Sequence, residues 1–127
     1  MAARRADGAP RAALTEQAAN VIANQKQTQM RLERAVEDYE KSNASARQAL
    51  LLADEANRDG KSDKVANYTQ AAETFAGKII GLEKLVADLK NQLQQTTQAA
   101  EQAKQAVAQN SAALQKKLTE RQKLLSQ

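Results

Sequence analysis

The hydrophobic positions of this chain follow a heptad pattern in two halves that mirror each other about Gly60. In the first half, the positions predicted to point inward alternate in steps of three and four residues. They are Ala18, Ile22, Gln25, Gln29, Leu32, Val36, Tyr39, Asn43, Ala46, Leu50 and Ala53. The second half repeats the rhythm at Val65, Tyr68, Ala72, Phe75, Ile79, Leu82, Val86, Leu89, Leu93, Thr96, Ala100, Ala103 and Val107. Two such halves predict two long helices that pack against each other.

The two helices are predicted to run antiparallel, because folding the chain at its one strong turn signal brings the two series face to face. That signal is Asp59-Gly60-Lys61-Ser62, and the midpoint of every predicted pair falls within one residue of the glycine. Large side chains tend to meet small ones near this turn, as interdigitating layers require. Predicted pairs include Leu50 with Ala72, Ala46 with Phe75, and a layer that is polar on both sides, Gln25 with Thr96. The fold class is therefore all-α, a long antiparallel two-helix coiled-coil hairpin in which helix two overhangs.

The predicted boundaries follow from stop and start signals along the chain. Asn57, Asp59 and Gly60 are typical of the end of a helix, and Ser62 or Asp63 is the expected N-cap of the next one. Residues 1–10 lack periodicity and end in the single proline of the chain, which indicates a disordered arm or a cloning remnant. The predicted segments are the arm at 1–10, helix one at about 12–58, the turn at 59–62 and helix two at about 63–127.

Four leucines near the end of helix two form the candidate protein-interaction site. By the pairing rule Pro10 lies opposite Ser111, so helix two continues beyond the start of its partner. Hydrophobic side chains nevertheless persist there, at Leu114, Leu118, Leu124 and Leu125. Contiguous exposed leucines are unfavourable in water. We therefore expect either a second helix that covers them or a longer chain, and a frayed, solvent-exposed end is the alternative.

Gly77 and Gly81 interrupt the helix-forming composition of helix two. Each glycine lowers the stability of a helix interior by about 1 kcal/mol relative to alanine. The pair therefore predicts a bend or a surface that a neighbouring chain approaches closely.

The composition excludes most catalytic chemistry. The chain has 127 residues and contains no cysteine and no histidine, which removes disulfides, thiolate nucleophiles, the commonest general base and most transition-metal ligand sets. No glycine-rich phosphate loop or metal-ligand spacing occurs. We expect neither enzymatic activity nor a bound cofactor or metal.

Charge and hydropathy narrow the set of partners. The net charge is +4, which suggests either an anionic partner or simply a solvated helix surface. Nucleic acid is not expected, since the basic residues are not interleaved with aromatic ones and acids are nearly as numerous as bases. No apolar run approaches the length of a membrane span, and the N-terminus lacks the hydrophobic segment of a secretory signal. We expect a cytoplasmic protein.

Several stretches carry a resemblance to a known family. They are residues 18–25 (AANVIANQ), 47–54 (RQALLLAD), 71–76 (AAETFA) and 120–127 (ERQKLLSQ). Together with the Gly60 turn, they resemble the coiled-coil core of the phage shock protein A (PspA) family, most closely its alanine-rich actinobacterial branch. The resemblance covers residues 11–127.

The resemblance implies a bacterial membrane-stress protein of the ESCRT-III-like superfamily. Such proteins are homo-oligomers that assemble on anionic inner membranes, peripheral to the bilayer, and restrain a transcriptional activator. Their N-terminal amphipathic helix has no counterpart in residues 1–10, so this chain is expected to bind membranes weakly. The alternative is a structural coiled-coil tether or spacer between globular parts.

Overall fold

The computed structural model of the chain describes the backbone of residues 2–126 and the side chains of residues 12–126. It contains two α-helices joined by a tight turn: α1 (Ala2–Arg58, 57 residues) and α2 (Ser62–Ser126, 65 residues). No strand occurs in the described range. The predicted fold class, an all-α helical hairpin, is confirmed.

The start of α1 differs from the prediction. The sequence predicts a disordered arm at 1–10, whereas α1 is helical from Ala2 onward. Alanine and arginine, which are both strong helix formers, make up most of this stretch, and they account for the earlier start. The side chains of residues 1–11, and with them the basic residues Arg4, Arg5 and Arg11, lie outside the described part of the chain.

The hairpin divides into two compact units, and each combines a segment of α1 with a segment of α2. The turn unit comprises residues 29–92, and the terminal unit comprises residues 1–28 and 93–127. In both units the inward positions of α2 agree with the heptad prediction. Every predicted position from Val65 to Val107 is buried or half-buried.

In α1, one of the two inward series agrees with the prediction and the other is displaced by one residue. The series Ala18, Gln25, Leu32, Tyr39, Ala46 and Ala53 is buried or half-buried as predicted. The second series is most buried at Thr28, Ala35, Ser42, Ala49 and Ala56, each one residue before a predicted position or its heptad continuation, whereas Val21 and the predicted Ile22 are both half-buried. The predicted inward positions of Gln29 and Leu50 are wrong: Gln29 is exposed, and Leu50 has 58% of its surface exposed against 6% for Ala49.

The displacement has a physical reason in side-chain size. Small side chains allow two helices to approach closely, so the line of closest contact follows alanine, serine and threonine. Larger residues of the predicted series, such as Ile22 and Val36, lie half-buried beside that line. We call the line of buried and half-buried residues between α1 and α2 the seam. Hydrophobicity alone favours the larger residues for the seam, whereas close packing selects their smaller neighbours.

Candidate interaction surfaces

The turn between the helices is closed by backbone hydrogen bonds alone. Lys61 N donates to Ala56 O at 2.9 Å, and Gly60 N donates to Asn57 O at 3.2 Å. This pair of bonds is the Schellman arrangement that ends many helices. It requires a left-handed residue at Gly60, where φ is 70°.

The start of α2 lies one residue earlier than the sequence predicts. The carbonyl oxygen of Lys61 accepts hydrogen bonds from Lys64 N and Val65 N, both at 3.1 Å. The N-cap is the residue whose carbonyl accepts the first helical bond, so Lys61 occupies that position and Ser62 is already helical. Asp63 therefore lies in the first turn of α2, where a carboxylate interacts favourably with the helix dipole.

The four residues predicted to form the turn are all exposed. Asp59, Gly60 and Lys61 form the non-helical connection, and Ser62 begins α2. An ion pair precedes them in the last turn of α1, where Arg58 and Asp54 approach to 3.1 Å. Both side chains of this pair are mostly exposed, so the pair adds little to stability.

A mostly hydrophobic groove runs along one side of the turn unit. Its volume is about 450 Å³, and its lining residues are Ala44, Ser45, Gln48, Ala49, Leu52, Tyr68, Ala71 and Phe75. The exposed Leu51 lies three residues after Gln48 and so borders the groove on α1. The sequence analysis did not predict this groove. Two of its lining residues, Leu52 and Ala71, are hydrophobic but lie outside the predicted inward series, and they are the signal in the sequence that could have indicated it.

The turn unit also contains a cross-helix hydrogen bond beside a second, more polar groove. The Tyr39 hydroxyl donates to Glu83 Oε1 at 3.3 Å. Both residues line a groove of about 350 Å³ together with Val36, Glu40, Val86 and Lys90. The phenol thus covers hydrophobic surface with its ring and keeps its hydroxyl bonded at the edge.

The four predicted interaction leucines of the terminal unit differ in exposure. Leu114 is half-buried, whereas Leu118, Leu124 and Leu125 are exposed over 47%, 74% and 79% of their surface. Four exposed cations are interspersed with them, at Lys116, Lys117, Arg121 and Lys123. This stretch of α2 therefore combines accessible leucines with a positive charge.

The predicted polar layer is present in the terminal unit with a changed partner. Gln25 Nε2 donates to Thr97 Oγ1 at 3.3 Å, not to Thr96. The hydroxyl of Thr96 instead donates to Leu93 O on its own helix at 3.1 Å. The buried Thr28 likewise donates to Asn24 O, four residues earlier, at 2.9 Å.

The described residues lack two features that would point to other kinds of site. They contain no group of three or more acidic side chains placed to hold a metal ion. None of their helices has the length and hydrophobicity needed to cross a bilayer.

The mirrored heptads, the tight turn and the paired helices place this chain in the class of coiled-coil hairpin proteins. The chain belongs to the PspA/IM30 family, whose family model matches residues 9–127. That family acts in the phage shock response to membrane stress, and its members are structural and regulatory proteins, not enzymes.

Two relatives show the same relationship. The chain is 50% identical over 115 residues to the "PspA protein" of Mycobacterium tuberculosis strain H37Ra and to that of strain H37Rv. The match covers 91% of this chain and 43% of each relative, so the chain spans less than half the length of these proteins. Comparison with solved structures gave no significant match.

Proposed function

We propose that this chain is the coiled-coil core of a membrane-stress scaffold that self-assembles through the leucines at the end of α2. The observation that supports this proposal most directly is the exposure of Leu118, Leu124 and Leu125 on one short helical stretch. Oligomerisation is also a known property of the PspA/IM30 family.

The energetics favour coverage of these leucines by a second copy. Burial of a leucine side chain contributes about 1.5–3 kcal/mol relative to full exposure. Three exposed leucines can thus supply several kcal/mol to an interface, which offsets part of the cost of association. The cations around Arg121 repel their counterparts in a second copy. Because salt screens this repulsion, assembly should strengthen with ionic strength.

Charged substitutions in this stretch test the proposal. We expect Leu118→Glu/Leu125→Glu to shift the chain to a smaller species in sedimentation velocity, because two carboxylates replace the hydrophobic contact. Thr119→Glu/Ser126→Glu is the matched control, since it adds the same charge at exposed positions one residue further on, about 100° around the helix. If the leucine variant and the control sediment like the unsubstituted chain, the proposed contact is wrong.

We further propose two partners for the longer protein: an anionic inner membrane to which it binds peripherally from the cytoplasm, and a transcriptional activator that it restrains. Membership in a family with a membrane-stress role supports these partners. The ESCRT-III-like mode of assembly belongs to the same proposal. A tether or spacer function would require neither lipid nor an activator.

A further inference from the structure

The seam of the terminal unit is built mainly from small and polar side chains. Its buried or half-buried positions of this kind are Ala18, Gln25 and Thr28 on α1, and Thr96, Thr97, Ala100, Ala103, Ala106 and Asn110 on α2. Larger hydrophobic side chains in its seam are aliphatic and fewer: Leu14, Val21, Ile22, Leu93, Val107 and Leu114.

The seam of the turn unit contains more large side chains, and three of them are aromatic. Large residues occupy 11 of its 21 buried or half-buried positions, against 6 of 15 in the terminal unit, and they are Leu32, Val36, Tyr39, Leu52, Val65, Tyr68, Phe75, Ile79, Leu82, Val86 and Leu89. Hydrophobic stabilisation scales with the apolar area removed from water. An average layer of the terminal unit therefore contributes less to helix pairing than an average layer of the turn unit.

The polar groups of the terminal seam do not hold the two helices together strongly. The Gln25 to Thr97 hydrogen bond is long, at 3.3 Å, and both groups can bond to water when the helices part. A hydrogen bond exchanged for one to water changes the free energy by only about 0.5–1.5 kcal/mol.

The remaining threonines of this seam keep their hydrogen bonds whether the helices are paired or not. Thr28 donates to Asn24 O and Thr96 donates to Leu93 O, so both acceptors lie on the donor's own helix. Such bonds to a preceding carbonyl satisfy the hydroxyl locally. Separation of the helices consequently leaves neither of these hydroxyls without a partner.

From these three observations we propose that the helix pair of the terminal unit opens locally while the turn unit remains paired. The opening parts residues 12–28 of α1 from residues 93–110 of α2, and each parted segment stays largely helical, although its backbone hydrogen bonds open more often than in the paired state. The terminal unit thus has two conformational states, one paired and one parted. The parted state exposes two helical surfaces that the paired state buries. This inference does not depend on the proposed leucine contact.

Thiol labelling of single cysteines tests the opening, because the chain has no native cysteine. Ala100 in the terminal unit is 0% exposed and Ala72 in the turn unit is 7% exposed, and both lie in the seam of α2. A reagent reaches either position only when the helices part. We expect Ala100→Cys to react at least tenfold faster than Ala72→Cys with dithiobisnitrobenzoate, although its site is the more deeply buried. Equal or slower labelling at position 100 would overturn the proposal.

A second pair of variants separates opening from other causes of reactivity. In the Ala100→Cys background, Gln25→Leu/Thr97→Val replaces the polar layer by apolar side chains and should slow labelling at least tenfold. Gln27→Leu/Thr119→Val makes the same chemical changes at exposed positions of the same unit, and it should leave the rate unchanged. Equal slowing by both pairs would assign the reactivity to helix fraying and overturn the proposal.

Hydrogen exchange on the unsubstituted chain measures the same opening without a cysteine substitution, and so it controls for any distortion that the new cysteine causes. We expect peptides from residues 93–107 to exchange at least tenfold faster than peptides from residues 72–89, because a parted helix in water is only marginally stable. Equal protection of the two segments, with equal labelling rates, would show that both units open together. Sedimentation of the same samples, compared with the leucine variants above, reports self-assembly separately.

Discussion

At the scale of single residues, Gly60 is the position on which the backbone of the turn depends. Its φ of 70° lies in the left-handed region, and a Cβ built there meets no atom within 4 Å. The requirement for glycine is therefore a matter of backbone conformation and not of space. The sequence predicts a helix stop at Asn57, Asp59 and Gly60, because a glycine that follows a helical run is typical of a helix C-terminus, and in the structure α1 ends at Arg58, two residues before Gly60.

We expect Gly60→Ala to lower the free energy of unfolding by about 1 kcal/mol, since an L-residue in the left-handed region is strained by roughly that amount. Urea unfolding followed by circular dichroism measures the change. Gly60→Asn is the control and should lose less, because asparagine tolerates this conformation better than alanine. Equal stability of the alanine variant and the unsubstituted chain would contradict the strain argument.

At the scale of the helices, the heptad pattern predicted α2 more accurately than α1. In α2 the large residues Phe75, Leu82 and Leu89 mark the seam without ambiguity. In α1 the predicted position of Leu50 was wrong, because alanine, serine and threonine pack at the closest contact and carry almost no hydropathy signal. The hydrophobic groove beside Leu52 was missed for a related reason: a groove depends on which surfaces face each other, and periodicity within one helix does not report this.

Gly77 and Gly81 lie on exposed positions of α2 with open space where a Cβ would be. Within the described range they do not mark a close approach of the two helices. We expect Gly77→Ala and Gly81→Ala each to raise the free energy of unfolding by about 0.5–1 kcal/mol, because alanine restricts the unfolded chain and favours the helix. Thermal unfolding monitored by circular dichroism checks this. The reverse change, Ala76→Gly at a neighbouring exposed position, should destabilise the chain by a similar amount. If the glycine substitutions instead lower stability, the packing at these positions has been misassigned.

At the scale of the whole molecule, composition and charge limit what the hairpin does by itself. A net charge of +4 spread over 127 residues gives only weak attraction to an anionic surface, at about 1 kcal/mol for each basic residue that reaches it. Sequence resemblance was enough to predict the family and the membrane-stress role of that family. The exposure of individual leucines near the end of α2 and the hydrophobic groove of the turn unit could be found only from the structure.

Co-sedimentation with vesicles tests the membrane proposal. We expect the gene product at the length of its relatives to pellet with vesicles that contain phosphatidylglycerol, and this 127-residue chain to pellet much less. Pure phosphatidylcholine vesicles are the control, and high salt should release the electrostatic part of the binding. If neither protein pellets, the tether function becomes the better account of the hairpin.

The closure of the turn by backbone atoms has a consequence for how the protein can diverge. The two backbone hydrogen bonds of the Schellman arrangement and one glycine fix the geometry, and the side chains of Asp59, Lys61 and Ser62 take no part in those bonds. Substitutions at these three positions can therefore change the charge of the tip without unfolding the hairpin. The surface chemistry of the tip is thus separable from folding, and a gene under changing selection can alter the first while it retains the second.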